Sequence, residues 1–455
     1  MAISRLFIAN RGEIALRVLR AAQALNLETV IGVSDADRDS ITARLADRRL
    51  VIGPGPAAKS YLDARLVVQA AKASGCDALH PGYGFLSERA ELARLCDEHG
   101  IVFVGPEADM IEALGDKLRA REMAAAAGVP LVPGSGEIAS AADAKRMADQ
   151  IGYPVLLKAA AGGGGRGMVI VNGPSEAEAG FHRASAEAVA AFGDGTLFME
   201  RFVPEARHVE VQLMGDGKGE VIHFGERDCS VQRRYQKVVE EAPCVAMPDA
   251  LRAQLHEAAV SLAKSVNYRN AGTCEFLYDV LRGEIYFIEV NARIQVEHPV
   301  SEMVTGRDLV QEQLRIAGGL GLSVKQDDVV LTGHAIECRI NAEDPARDFV
   351  PVPGAVTRWR VPEGEGVRMD SHIYEGAVIP PFYDSMIGKL IVHADTRDLA
   401  IDRMLGALDA FEVEGVPTTI PLHRAILREP AFRANTIHTR WLEQDMFAAE
   451  RQAAE

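Results

Sequence analysis

The chain has 455 residues, 48% of them apolar and 25% charged, a composition typical of a globular protein with two or three domains. Its 49 basic and 65 acidic residues give a net charge of −16, which opposes non-specific binding to nucleic acid or anionic lipid. A polyanionic ligand therefore needs a locally basic pocket. No apolar run approaches the roughly 20 residues of a membrane helix, and the N-terminus lacks a signal-peptide core, so we expect a cytoplasmic protein.

The six cysteines lie far apart in the sequence and include no C-x-x-C pair. This spacing indicates neither a disulfide framework nor a zinc site, and it predicts reduced thiols. Cys229 has no neighbour that would mark it as an activated thiolate, and we interpret it as structural.

Residues 1–115 alternate short apolar runs with amphipathic stretches. The apolar runs cover residues 5–9, 29–33, 77–80 and 101–104, and helical periodicity begins near Gly12, Ala64 and Glu88. This alternation predicts βαβ units and a mainly parallel, doubly wound sheet. The turn-rich loop at residues 80–88 follows one of the strands, where open sheets bind ligands, so it is either a structural turn or a wall of a site.

A glycine-rich loop at residues 162–167 lies between two predicted strands, 154–159 and 168–171. Formally the loop matches G-x-G-x-x-G, but a dinucleotide fingerprint requires a following helix, and a P-loop requires Gly-Lys-Ser/Thr. The pattern favours a flap whose backbone N–H groups close over phosphates, with a flexible linker as the alternative. Lys158 at the base of the loop and Lys117 supply point charges for phosphate oxygens. We therefore predict an ATP-binding lid.

Two alternating segments follow an alanine-rich helix predicted at residues 175–191. They cover residues 198–203 and 207–212 and read as a pair of strands. After a phosphate flap, Glu200 is a candidate for contact with an adenine edge, and His208 for contact with the ribose or the phosphates. An ordinary structural strand pair is the alternative.

Every odd position from 289 to 297 is polar, whereas the even positions between them are small or apolar. In one extended strand these side chains share a face; they are Glu289, Asn291, Arg293, Gln295 and Glu297. The same face then carries two acids, two amides and a guanidinium. A solvated face of an edge strand is the alternative interpretation.

The segments 273–278 and 284–288 predict a hairpin in which Glu275 falls opposite Glu289 if the turn spans residues 280–284. Carboxylates at a cross-strand distance of roughly 5 Å repel each other unless a cation bridges them. Mg²⁺ fits this role because it takes hard oxygen ligands from one or two carboxylates and from phosphate. Asn291, on the same face, adds a neutral oxygen.

Six segments in order closely resemble biotin carboxylase, an ATP-grasp enzyme. They are residues 9–15, 80–88, 162–167, 226–230, 289–299 and 337–344. The resemblance covers nearly all of residues 1–445 and extends to the N-terminal parts of pyruvate and propionyl-CoA carboxylases. The sequence departs from the family pattern at Tyr235, where histidine is common near the nucleotide.

The resemblance implies a fold of the α/β and α+β classes with four parts. These are an N-terminal doubly wound parallel sheet at residues 1–115, a linker helix and glycine-flap lid at 116–203, an ATP-grasp core at 204–330, and a mainly antiparallel C-terminal subdomain at 331–446.

The resemblance also implies the role of each site residue. Glu297 acts as the base, Arg293 holds bicarbonate, Arg339 lies by the biotin ureido oxygen and Lys237 faces the transferred phosphate. Nucleotide or bicarbonate contacts come from Lys117, Lys158, Gly162, Gly163, Gly164, Gly165, Arg166, Gly167, Glu200, His208, Gln232, Gln295 and Val296, and metal contacts from Glu275, Glu289 and Asn291. For Arg339, a surface ion pair with Glu337 is the alternative.

The implied reaction carboxylates biotin through carboxyphosphate, with ATP, Mg²⁺ or Mn²⁺, and bicarbonate. The sequence lacks a Met-Lys-Met biotinylation motif, so we expect biotin on a separate carrier protein or domain, a separate carboxyltransferase that selects the acyl acceptor, and a homodimer by analogy. Two alternatives remain open. One is an ATP-grasp ligase of the carbamoyl phosphate synthetase kind, and the other is a nucleotide-binding subunit without turnover.

Overall fold

The N-terminal part of the chain forms a parallel sheet with helices packed against it. The structure is a computed structural model that describes residues 3–161 and 167–448. The strands pair in the order β3-β2-β1-β4-β5 and are β1 (Arg5–Ile8), β2 (Glu28–Ser34), β3 (Arg48–Gly53), β4 (Ala78–His80) and β5 (Val102–Phe103). The helices are α1 (Gly12–Ala24), α2 (Ile41–Leu45), α3 (Ala64–Ala73), α4 (Ala90–Glu98) and α5 (Ala108–Gly115).

The central strand β1 explains why this sheet forms. Its residues Leu6, Phe7 and Ile8 are fully buried, as expected for a parallel strand with both faces covered. The predicted parallel sheet is confirmed. The edge strand β3 was not predicted, because only its Ile52 is buried and strand patterns in a sequence arise from burial.

Residues 117–201 form a small antiparallel sheet with three helices. Its elements are α6 (Lys117–Ala126), α7 (Ala141–Ile151), β6 (Val155–Ala159), β7 (Met168–Val171), α8 (Ala177–Phe192) and β8 (Leu197–Arg201), and the strand order is β7-β6-β8. A strand rather than a helix follows the glycine loop, as the flap interpretation predicts. The flap residues Gly162, Gly163, Gly164, Gly165 and Arg166 lie outside the described residues.

The remaining chain builds one antiparallel sheet of eight strands in the order β13-β12-β9-β10-β11-β14-β21-β19. Its first half contains β9 (Ala206–Asp216), β10 (Val221–Arg233), β11 (Gln236–Ala242), α9 (Asp249–Ser265), β12 (Arg269–Asp279), β13 (Glu284–Asn291), α10 (His298–Thr305) and α11 (Leu309–Ala317). The pairing of β11 with β14 (His334–Asn341) continues the sheet into the C-terminal part.

The C-terminal part completes that sheet with β21 and β19 and adds further short strands and three helices around it. Its elements are β15 (Glu343–Asp344), β16 (Val350–Pro351), β17 (Gly354–Ala355), β18 (Arg358–Arg360), β19 (Val367–Ser371), β20 (Val378–Ile379), β21 (Met386–Ala394), α12 (Arg397–Ala410), β22 (Glu412–Glu414), α13 (Ile420–Arg428) and α14 (Pro430–Arg433). The predicted mainly antiparallel character is confirmed. Within residues 3–161 and 167–448, no helix combines the length and the apolar character needed to cross a bilayer.

One predicted strand is shorter than the sequence pattern suggests. The strand expected through residue 297 ends at Asn291, and a loop leads from there to α10. The expectation of a single extended strand was therefore wrong. A loop can still direct alternate side chains toward one place, and the polar side chains at the odd positions from 289 to 297 all line one cavity.

Candidate active site

Carboxylates meet across the hairpin of β12 and β13. The pairing close to the turn, continued without change, would place Glu275 opposite Ile288. A β-bulge leaves Ile288 unpaired, so that Glu275 lies opposite Glu289 and the predicted pairing is confirmed. On its other side, Glu275 lies opposite Glu210 of β9. Three acids on adjacent strands require nearby positive charge.

Glu275 accepts hydrogen bonds from several donors. Its Oε1 accepts bonds of 2.9 Å from Asn291 Nδ2, Gln295 Nε2 and Lys237 Nζ, and its Oε2 lies 3.1 Å from His208 Nε2. Burial raises the pKa of Glu275, but the charges of Lys237 and His208 outweigh burial and hold the pKa well below its usual value. Glu275 is therefore an ionised buried carboxylate.

Lys237 is the central cation of the site. Its Nζ lies 2.5 Å from Glu210 Oε2, 2.9 Å from Glu275 Oε1 and 2.6 Å from Glu297 Oε1. Burial lowers the pKa of Lys237, but these three carboxylates raise it well above the ordinary value. An ammonium group has three N–H donors, and each of them is directed at an acid.

Glu297 and Arg339 form the next ion pair. Arg339 Nη2 donates to Glu297 Oε2 at 3.0 Å, and Arg339 Nε donates to Glu240 Oε1 at 2.6 Å. The alternative surface pair with Glu337 is wrong, because Arg339 pairs with these two acids, and Glu337 is fully buried without a hydrogen-bond partner among the described side chains. Burial raises the pKa of Glu297, but Lys237 and Arg339 lower it below the usual value.

Arg293 lies in the loop after β13 and lines the same cavity. Its Nε donates to Glu88 Oε2 at 2.9 Å, and its Nη2 donates to Asn291 Oδ1 at 2.9 Å. Glu88 belongs to the loop predicted as a turn or a site wall, and its contact with Arg293 favours the wall. In the described part of the chain, no hydrogen bond joins Arg293 to Glu297.

A buried guanidinium holds the loop between β13 and α10 in place. Arg227 of β10 is fully buried, and each of its five N–H groups has an acceptor. The acceptors are Glu210 Oε1 at 2.6 Å, Gln212 Oε1 at 2.7 Å, Ser301 Oγ at 3.0 Å, Thr273 Oγ1 at 3.2 Å and Gln295 Oε1 at 2.7 Å. Arg227 thereby connects β9, β12, the loop at Gln295 and α10.

The two predicted phosphate lysines lie on different elements. Lys117 is the first residue of α6, and Asp116 caps this helix by accepting a hydrogen bond from the Arg119 N–H at 3.0 Å. The Nζ atom of Lys117 lies 3.8 Å from Glu289 Oε2. Burial lowers the pKa of Lys117. Lys158 of β6 donates to Glu200 Oε2 at 2.8 Å.

Glu200 does not stand free for a ligand. Its carboxylate accepts hydrogen bonds from both Lys158 and Arg121. Two cations that share one buried acid leave net positive charge on this part of the lid, which suits a phosphate chain.

His208 and Gln232 lie beside the acidic cluster, with 3.1 Å between Gln232 Nε2 and His208 Nδ1. Burial lowers the pKa of His208, but the charge of Glu275 outweighs burial and raises it to about 9. His208 is therefore a cation at neutral pH. Tyr235 occupies the tip of the β10–β11 hairpin with φ of 62° and is 52% exposed at the rim of the cavity.

Val296 contributes its backbone to a second buried cation. Its carbonyl oxygen accepts a hydrogen bond of 2.7 Å from Lys389 Nζ. Lys389 is fully buried in β21 and also lies 3.2 Å from Glu13 Oε1 of α1. The N-terminal sheet region and the C-terminal part thus both support the loop that carries Gln295 and Glu297.

The predicted residues surround two neighbouring cavities. The larger has a volume of about 690 Å³ and is lined, among others, by His208, Lys237, Glu275, Glu289, Asn291, Arg293, Gln295, Val296, Glu297 and Arg339. The smaller, of about 430 Å³, is lined by Lys117 together with Glu289 and Asn291. Within the described chain, Lys158 and Glu200 line neither of these two cavities and belong to the lid. Gly167 directly precedes β7, and its carbonyl oxygen accepts a hydrogen bond of 3.0 Å from the Ala159 N–H.

Two bacterial proteins are similar to this chain in sequence over nearly its whole length. The chain is 49% identical over 442 residues to biotin carboxylase 1 of Bacillus subtilis, covering 97% of this chain and 98% of the relative. It is 49% identical over 446 residues to the biotin carboxylase of Haemophilus influenzae, covering 98% of this chain and 99% of the relative. The chain belongs to the biotin carboxylase family. The predicted family and enzyme class, an ATP-grasp ligase, are confirmed.

Three family models and several solved structures match the chain over nearly its whole length. The biotin carboxylase N-terminal domain matches residues 2–111, the carbamoyl-phosphate synthase L chain ATP binding domain matches 116–325, and the biotin carboxylase C-terminal domain matches 337–444. The Campylobacter jejuni biotin carboxylase complex is 45% identical with a TM-score of 0.94, covering 97% of this chain and 98% of that one.

A second solved structure is the biotin carboxylase domain dimer of the Hydrogenobacter thermophilus 2-oxoglutarate carboxylase, in complex with MgADP, ADP and bicarbonate. It is 46% identical with a TM-score of 0.93, and the match covers 98% of each chain.

Several charged residues of this site were missed in the sequence. Glu210 alternates with His208 along β9, and that alternation could have placed it on the same face. Lys389 is a single cation in the apolar run of β21, a pattern that indicates a buried, paired charge. Arg227 and Glu240 carry no such local signal, because their partners are distant in sequence.

Proposed function

We propose that this chain uses ATP to carboxylate biotin with bicarbonate in the cavity around Lys237. The observation that carries the proposal is the convergence of Glu297, Lys237 and Arg339 through contacts of 2.6 and 3.0 Å at one wall of that cavity. Glu297 is an ionised carboxylate that can accept a proton, and the two cations beside it can stabilise developing negative charge.

The hairpin acids fit a divalent metal ion. Glu275 and Glu289 face each other, and in the described chain the nearest cation to Glu289 is Lys117 at 3.8 Å, so that carboxylate keeps free oxygens. With the amide of Asn291, these are the hard oxygen ligands that Mg²⁺ prefers. When bound there, Mg²⁺ would neutralise charge on the nucleotide phosphates.

The lid and the neighbouring strands bind the nucleotide. Lys117 and Lys158 supply charge to the phosphate oxygens, with the glycine flap closing over them. Glu200 positions Lys158 through its 2.8 Å bond, and His208 and Gln232 line the approach from β9 and β10.

In the bicarbonate step, the planar fork of Arg293 holds the anion, assisted by the loop at Gln295 and Val296. Glu297 takes the bicarbonate proton, and the resulting oxygen attacks the γ-phosphorus while the bond to ADP breaks. Lys237 faces the transferred phosphoryl group. Carboxyphosphate and ADP are the products.

In the biotin step, carboxyphosphate breaks down to CO₂ and phosphate, and the phosphate removes the N1′ proton of biotin. Arg339 stabilises the negative charge on the ureido oxygen, and N1′ attacks CO₂ to give carboxybiotin. We propose that the biotin arrives on a carrier protein or domain, that a carboxyltransferase uses the product, and that the chain forms a homodimer.

A ligase of the carbamoyl phosphate synthetase kind is the competing function, since the central segment matches that ATP-binding domain. The biotin carboxylase models that match residues 2–111 and 337–444 favour biotin as the acceptor. A non-catalytic subunit is disfavoured by the complete set of charged residues in the cavity.

An ADP-release assay tests the proposal. Purified protein with MgATP and bicarbonate is measured with and without free biotin, and we expect biotin to increase the rate. Ammonia in place of biotin is the control for the competing function. Stimulation by ammonia alone, or no turnover in folded protein, would contradict the proposal.

A further inference from the structure

Glu240 lies next to the site without lining it. It belongs to β11, is fully buried, and is not part of the wall of the 690 Å³ cavity. Its Oε1 accepts the hydrogen bond from Arg339 Nε at 2.6 Å. None of the proposed catalytic steps uses this acid.

Arg339 is shared between two acids at different ends of its guanidinium. Nε is bound by Glu240 and Nη2 by Glu297, which both lie in buried positions. Of the two acids, Glu297 is the one that takes a proton in the proposed reaction, from the O–H of bicarbonate. Once that proton is on Glu297, the carboxyl group is neutral and its contact with Nη2 loses the attraction between opposite charges, whereas the contact between Glu240 and Nε stays an ion pair.

Resting on the function proposed above, we infer that Glu240 is a positioning residue for the biotin step. Glu240 holds Arg339 by Nε, while protonation of Glu297 releases Nη2 toward the ureido oxygen. The two steps are thereby ordered, since Arg339 turns to biotin only after bicarbonate has been activated. Glu240 suits this task because its strand is paired on both sides, by β10 and by β14, and cannot follow a moving side chain.

Glu337 offers a matched control. It lies directly opposite Glu240 on β14, is also fully buried, and has no hydrogen-bond partner on either oxygen among the described residues. Burial, together with the charge of Glu240, raises its pKa well above the usual value despite Lys389 and Arg339 nearby. Glu337 therefore matches Glu240 in place and burial but does not hold Arg339.

The test compares Glu240→Gln with Glu337→Gln in the full chain. For each protein, ADP release is measured with bicarbonate alone and with added biotin, together with the KM for biotin. For Glu240→Gln we expect the ratio of the biotin-dependent to the biotin-independent rate to fall about tenfold, which corresponds to roughly 1.4 kcal/mol. For Glu337→Gln we expect this ratio to stay within twofold of the wild type.

A merely structural role for Glu240 would lower both rates together and leave the ratio unchanged, and that outcome overturns the inference. An equal fall of the ratio in Glu337→Gln also overturns it. If Glu240→Gln does not fold, Glu240→Asp withdraws the carboxylate from Nε while keeping its charge, and an unchanged ratio in that variant overturns the inference as well. Absence of biotin stimulation in the wild type would instead contradict the proposed function.

Discussion

At the scale of single residues, the site depends on buried acids and buried cations that neutralise one another. Lys237 touches three carboxylates within 2.9 Å, and Glu297 touches both Lys237 and Arg339. Removing one charge while keeping the shape of the side chain separates chemistry from packing, because glutamate and glutamine have nearly the same size. Glu297 is the residue for which this separation is most informative.

We expect Glu297→Gln to bind ATP with a dissociation constant close to that of the wild type but to lose at least a hundredfold in turnover, the usual contribution of a general base. Nucleotide binding is measured by displacement of a fluorescent analogue, and turnover by ADP release. Glu284→Gln, at the exposed end of the β13 hairpin, is the control and should behave as the wild type. Unchanged turnover in Glu297→Gln would remove this residue from the mechanism.

Residue patterns predicted the local pairings of this site but not its long-range ones. Glu275 and Glu289 were paired from two aromatic strands and a turn, and the structure shows that pairing through a bulge that no sequence pattern revealed. Glu240 and Arg227 escaped notice because a buried ion pair between distant segments leaves no periodic signal. The role of glycine residues 162–165 and of Arg166 as a phosphate-binding flap stays a prediction.

At the scale of elements, the loop between β13 and α10 shows how irregular backbone is held in place. Polar alternation at residues 289–297 predicted a strand, but the ladder ends at Asn291. Alternation reports which side chains point to one region, and a loop pinned by side-chain hydrogen bonds can produce it as well as a strand. Arg227 holds this loop in that way, because it donates hydrogen bonds to Gln295 and Ser301 on either side of Glu297.

We expect Arg227→Met to destabilise the protein by about 3–5 kcal/mol, because it leaves Glu210 and several amide and hydroxyl acceptors buried with fewer partners. Arg227→Lys should not restore stability, since an ammonium has three donors for five acceptors. The melting temperature is the measurement. Arg38→Met removes an exposed pair with Asp35 and should cost no more than about 1 kcal/mol; equal shifts in the two methionine variants would contradict the argument.

At the scale of the whole molecule, the rhythm of apolar runs predicted the parallel N-terminal sheet and the antiparallel remainder. The eight-stranded sheet that joins β11 to β14 could not be read from the sequence, because it pairs strands that lie about a hundred residues apart, as Glu240 and Glu337 do. The division at residues 203 and 204 stays a prediction. Parts that share one sheet are expected to unfold together, which makes the thermal transition a useful readout.

Buried histidines should make that transition sensitive to acid. Burial lowers the pKa of His80 and of His423 to about 4 and that of His298 well below its usual value of 6.5, and all three are fully buried. Above pH 6.5 these rings are neutral in both states. Below it the unfolded chain binds protons that the folded chain does not bind, so stability falls as pH drops from 6.5 toward 4. The loss is on the order of 3 kcal/mol for His80 and the same for His423, and His298 adds to it in the same direction.

We therefore expect the melting temperature of the wild type to fall between pH 7.5 and pH 5 by several degrees more than that of His80→Asn, which lacks one of these rings. His80→Asn should itself be less stable at pH 7.5, because the ring accepts a hydrogen bond from the Gly82 N–H at 2.9 Å. The comparison is therefore made within each protein across pH. His182→Asn, at an exposed helical position, should lose as much as the wild type, and an equal loss in His80→Asn would show that this ring does not contribute to acid destabilisation.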